Sequence, residues 1–164
     1  MKRITLYLVG IAALILLLGC QPKTNTDKID ALKKQVKAHS EALDGLKNKA
    51  FVQLERDFFI CDSLLQYLHP EEVEEVFPQL QLTSAYIDQF KQVSPTMEAE
   101  MDTTLLRLDR LKADAESHYY SDSLVDIYIN DEAQVVTRLG EQIQYFTDRF
   151  NTCQKELDQL KKKK

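Results

Sequence analysis

The chain of 164 residues is long enough for one domain of ordinary size and too short for two. Its 21 basic and 26 acidic side chains give a formal charge of −5, which argues against nucleic acid as a partner. Tryptophan is absent and glycine occurs four times, while Glu, Lys, Gln, Leu, Asp and Ala abound, so turn-rich β-sandwich and α/β folds give way to an all-α one.

Lys2 and Arg3 precede an apolar stretch from Ile4 to Leu18, the charged and apolar parts of an export signal. The stretch is about 15 residues, short of the roughly 20 that a transmembrane helix needs. It stops at Gly19-Cys20, and the residues from Gln21 to Thr26 are polar and broken by Pro22. Leu17-Leu18-Gly19-Cys20 resembles the lipobox of bacterial lipoproteins, with Leu18 where that family usually places a small residue. The resemblance implies a signal peptide over residues 1–19, diacylglycerol on the Cys20 sulfur, cleavage after Gly19 and usually acylation, for example by palmitate, of the new N-terminus. That covalent lipid is the only non-protein group expected. An uncleaved signal anchor with a chance cysteine is the alternative.

Each buried acyl methylene contributes about 0.8 kcal/mol, so two or three chains hold a small protein stably on a membrane. Enterobacterial lipoproteins kept in the inner membrane carry Asp after the lipidated cysteine; this chain has Gln21, which points to the outer membrane, facing the periplasm. Residues 20–26 read as a flexible linker and 27–164 as a single helical domain. With Lys2 and Arg3 removed, 19 basic side chains face 26 acidic ones, a charge of −7.

From Asp27 onward Ile29, Leu32, Val36, His39, Leu43, Leu46, Ala50, Leu54, Phe58, Cys61, Leu65 and Leu68 recur at steps of three and four, as in a coiled coil. Three successive steps of four from Leu46 to Phe58 form a stutter that predicts local unwinding. This first helix spans about 42 residues, or about 63 Å, and ends at His69-Pro70. Pro70 opens a second helix with Glu71, Glu72, Glu74 and Glu75 near its positive end, and Val73, Val76, Leu80, Thr83, Ile87 and Phe90 inward. Pro78 predicts either a kink or a break that splits off the first two turns. Ser94-Pro95 reads as the cap and first-turn proline of a third helix carrying Met97, Met101, Leu105, Leu108, Leu111 and Ala115. A polar turn over residues 118–123 leads to a fourth helix from Leu124, with a clean heptad from Leu139 to Leu160.

Long, short, short and long helices with tight connections predict an antiparallel four-helix bundle head on a two-stranded antiparallel coiled-coil stalk. In that register Ile29 lies beside Leu160, Gly45 is nearly level with Gly140, and the lysines from Lys28 to Lys49 face Glu141, Asp148, Glu156 and Asp158. Gly45 and Gly140 form either a hinge or a close-packing point. Cys61 and Cys153 fall about 37 Å apart, too far for a disulfide, and read as small buried hydrophobes.

Chemistry is sparse. His39, His69 and His118 share no ligand spacing, and no Gly-rich phosphate loop, Cys-x-x-Cys pair or nucleophile elbow occurs, so no enzymatic function, metal or small-molecule substrate is expected. His39 in the stalk seam reads as a register-fixing polar residue. Tyr119 and Tyr120, at the expected membrane-distal tip, are either rim residues of the core or a partner surface. Lys161, Lys162, Lys163 and Lys164 would end beside Cys20 and contact headgroups. The expected function is a lipid-anchored, non-enzymatic envelope protein acting as a structural or interaction module on an envelope partner. Two alternatives stand: a small regulatory lipoprotein that binds an envelope enzyme, or a cell-wall tether. The lipobox, heptads and terminal lysine make the chain loosely similar to the murein lipoprotein, whose last lysine is joined to peptidoglycan.

Overall fold

The computed structural model describes residues 24–162, which are all-helical, with no strand among them. The expected signal peptide, Cys20, Lys163 and Lys164 lie outside the described residues. Three long helices run up, down and up. The first, α1, is α-helical over Asn25–Gly45, π-helical over Leu46–Phe51, α-helical again over Val52–Leu64 and closes with the 3-10 turn Leu65–Tyr67. Next come α2, Pro70–Glu116, and α3, Asp122–Lys162.

Thr24 caps α1 through a capping box. Its hydroxyl accepts from the Asp27 amide at 3.2 Å, and the Asp27 carboxylate accepts from the Thr24 amide at 3.0 Å. Helix therefore starts inside the segment 20–26 expected to be a linker. The stutter takes the form of the π-helical stretch, whose wider turn points both Ala50 and Phe51 toward the core. Phe51 then meets Phe90 and Phe150 with ring centroids 5.1 and 5.9 Å away, and Phe90 meets Phe146 at 5.0 Å. This aromatic layer anchors all three helices at mid-height.

The expected break at Ser94-Pro95 does not occur: α2 is one helix of 47 residues with Pro78 and Pro95 inside it. Its buried stripe explains why. Val76, Leu80, Thr83, Ile87, Phe90, Ser94, Met97, Met101, Thr104, Leu108 and Leu111 keep one unbroken heptad phase across both prolines. An interior proline costs about 3 kcal/mol. Burying Phe90, Met97 and Met101 on one continuous face contributes about 1.5–3 kcal/mol each, so packing prevails, and both proline rings face solvent.

Three helices in place of four reverse the last one, and the bundle-on-stalk arrangement is overturned. Helices α1 and α3 are parallel with an offset near 97 residues: Asn25 Nδ2 donates to the Asp122 carbonyl at 3.4 Å, Lys28 pairs with Asp126 at 2.6 Å, and Gln154 Nε2 donates to Asp57 at 2.6 Å. Helix α2 runs antiparallel to both, joined to α1 by Lys112–Asp30, Lys33–Asp109 and Lys91–Glu55 and to α3 by Arg107–Glu132 and Arg138–Glu100. The lysines of α1 thus pair with Asp126, Asp109 and Glu98, and the expected partners on the returning strand are replaced. Ile29 and Leu160 sit near opposite ends of a rod about 60 Å long.

Gly140 is a close-packing point. A Cβ there would lie 2.8 Å from His39 Cε1, whereas nothing comes within 4 Å of one at Gly45. Cys61 and Cys153 are buried and free. The parallel register separates them by only about five residues of helical rise, about 7.5 Å, which corrects the expected 37 Å.

Candidate functional site

The two ends of the rod carry its distinctive surfaces. At the end where α1 begins, α2 terminates in a Schellman-type turn: Tyr119 N donates to the Asp114 carbonyl at 3.0 Å and His118 takes the left-handed conformation, φ 52°. Asparagine or glycine usually fills this position, and His118 accepts it because the two capping bonds satisfy carbonyls left free by the helix end. The turn projects Tyr119, which is 72% exposed. Tyr119 packs edge-on against Tyr120 at 4.7 Å, and Tyr120 against Tyr128 at 5.6 Å. Tyr120 and Tyr128 border a shallow groove with Arg107, Arg110, Asp131 and Glu132. The tyrosines expected at the tip away from the start of α1 therefore lie at the end where α1 begins, because α2 brings the chain all the way back.

One turn further in, a polar cluster bridges α2 and α3 at the edge of the core. Glu132 occupies the heptad slot between Ile129 and Val136 and receives both Nε and a terminal nitrogen of Arg107, the latter at 3.0 Å. The same guanidinium donates to Thr104 Oγ1, a buried hydroxyl, at 3.0 Å. Hydrogen bonding to Glu132 is the main reason the Arg107 guanidinium is held above its ordinary pKa.

At the opposite end, the last turns of α1 and α3 and the first turns of α2 leave an apolar cleft of about 140 Å³. Cys61, Leu64, Leu68, Val76 and Leu160 line it, and Tyr67, 74% exposed, stands at its rim with Glu72 and Glu75. A dry cavity of about 150 Å³ accommodates a benzene-sized group, so this one suits a single aliphatic or aromatic side chain. Pro70 opens α2 as expected, with Glu72 accepting from the His69 amide at 2.9 Å.

Beside the cleft Asp57, 3% exposed, accepts from Gln53 at 2.7 Å and Gln154 at 2.6 Å and pairs with Lys161 at 3.0 Å. Burial by itself would raise the Asp57 carboxyl, and these three donors together with the Lys161 charge outweigh it and hold it below its ordinary value. Burial pushes both the Cys61 and Cys153 thiols up, which keeps them protonated and poorly nucleophilic. The Asp57 cluster was missed in the sequence because Phe58 continued the run of four-residue steps. The alternative phase Leu54, Asp57, Cys61 was equally available, with a carboxylate in a core slot as its signal.

Lys161 also pairs with Asp158 at 2.7 Å, and Lys162 is exposed beside it. Both stand at the cleft end, about 60 Å from Thr24, so the expected return to the beginning of the domain is overturned for Lys161 and Lys162. Among the described residues no group of three His, Cys, Asp or Glu side chains is placed to hold a metal ion, and no helix is long and apolar enough to cross a membrane. No protein-family model, curated protein or solved structure matches the chain.

Proposed function

We propose that the chain is a lipid-anchored, non-enzymatic lipoprotein of the bacterial envelope, a rigid spacer that holds its cleft-bearing end about 60 Å from an outer-membrane surface for an envelope partner. The lipobox-like segment ending at Cys20 supports the anchor. The observation that carries the spacer is the parallel register of α1 and α3. Asn25 meets Asp122 at one end, Asp57 meets Gln154 and Lys161 toward the other, and three ion-paired helices between them resist bending. A partner residue in the cleft between Leu64, Val76 and Leu160 would be gripped by apolar contact.

One observation also favours the cell-wall reading. Lys162 is exposed at the far end, one residue beyond the ion-paired Lys161, where peptidoglycan would be met by a rod standing on a membrane, so the lysine-rich end no longer has to fold back to its own anchor.

Radiolabelled palmitate should enter the wild-type protein and be absent from Cys20→Ala. A photocrosslinker in place of Tyr67 should then capture one discrete envelope component in intact cells, and the same group in place of Ala99 at mid-rod should capture none. Equal labelling of Cys20→Ala would remove the anchor, and equal capture at both positions would remove the presenting end. Lysozyme digestion of purified sacculi separates the two readings: a muropeptide on the C-terminal Lys164 assigns the tether.

A further inference from the structure

The base of the rod carries aromatic surface that no part of the bundle covers. Tyr119 is 72% exposed, yet its position is fixed by the capped turn behind it and by the Tyr120 and Tyr128 rings beside it. This turn shares an end with the start of α1, since Asn25 Nδ2 reaches the Asp122 carbonyl. Only four peptide units separate Thr24 from Cys20, a reach of about 14 Å at full extension. If Cys20 carries lipid, on which this inference rests, the tyrosine turn is confined to within a headgroup layer's depth of the bilayer. A tyrosine has an apolar ring and a polar hydroxyl, the combination that settles at membrane–water interfaces.

Charge narrows the kind of surface. Asp27, Asp114, Glu116 and Asp122 lie in the terminal turns at this end and Arg110 stands beside Tyr120 and Tyr128, while Lys28 and Lys112 are engaged by Asp126 and Asp30, which leaves an excess of carboxylates. An acidic base is repelled by anionic lipid and compatible with a zwitterionic one. We propose that the Tyr119–Tyr120 turn is a membrane foot that rests in the headgroup region of zwitterionic phospholipid and sets the rod upright on its anchor.

The absence of native tryptophan makes the test site-specific. Tyr119→Trp and, separately, Tyr67→Trp are made in the lipidated full-length protein, and each is bound to phosphatidylcholine vesicles with bromine near the headgroup end of the acyl chain. Both positions are exposed, and an unchanged helical circular dichroism spectrum verifies folding. The foot predicts blue-shifted emission at position 119, quenched by about half, with no change at position 67. Flotation with position 119 unquenched overturns the foot alone, and equal quenching at both positions overturns it in favour of a rod lying flat. Failure of the palmitate-labelled protein to float overturns the anchor and the foot together.

Discussion

Lys161 Nζ stands 3.0 Å from Asp57 Oδ2, an ion pair that ties the last turn of α3 to the second half of α1. Because the Asp57 side chain is almost fully enclosed and Lys161 is partly exposed, the carboxylate depends on this partner and on Gln53 and Gln154 for its hydration shell.

Acid should therefore loosen the rod through Asp57. Its folded pKa is depressed, so its contribution is fully present above the unfolded value of about 3.9 and is lost as pH falls through the lower folded value. Asp57→Asn should lower stability at pH 7 by about 1–3 kcal/mol and flatten the acid limb. Urea titrations of both proteins at pH 7 and pH 3 check this, and parallel losses in the two would count against the assignment.

Pro95 offers a test of the helix count. It lies within α2, exposed to solvent, where it removes a helical hydrogen bond. Pro95→Ala should stabilise the protein by about 1–3 kcal/mol. Had Ser94-Pro95 begun a separate helix, the same change would remove a favourable first-turn residue and lower the melting temperature.

The two helical glycines should respond differently to alanine. At Gly45 nothing lies within 4 Å of the added Cβ, so Gly45→Ala should add about 1 kcal/mol. At Gly140 the methyl would displace the His39 ring, and the gain in helix propensity should be largely cancelled. In a His39→Ala background Gly140→Ala should recover its stabilising effect, and a thermal-denaturation double-mutant cycle measures the coupling. A coupling near zero would show that the two side chains do not meet.

Much of the bundle was legible in the residues themselves. Steps of three and four between apolar positions placed Ile29, Leu43, Leu54, Ile143, Phe150 and Leu157 inside, because a helical stripe can be satisfied only by burial. His69-Pro70 and the polar segment around His118 were the real turns, since proline and cap-forming residues act on their own backbone. The run of four-residue steps marked the π-helical stretch to within a few residues. At the candidate sites the sequence supplied the residues and misplaced them: Tyr119, Tyr120, Lys161 and Lys162 all exchanged ends.

That exchange has a single origin. Ser94-Pro95 has the same local chemistry whether it caps a new helix or sits inside an old one, and only the neighbouring helices discriminate, by rewarding the unbroken phase from Phe90 through Ser94 to Met101. Each tight turn reverses the chain, so counting one turn too many inverts the direction of everything after it. Local patterning thus determined which faces are buried and that the chain is all-helical. Long-range packing across α1, α2 and α3 decided how many times it turns, and hence that Thr24 and Lys162 lie a full rod apart.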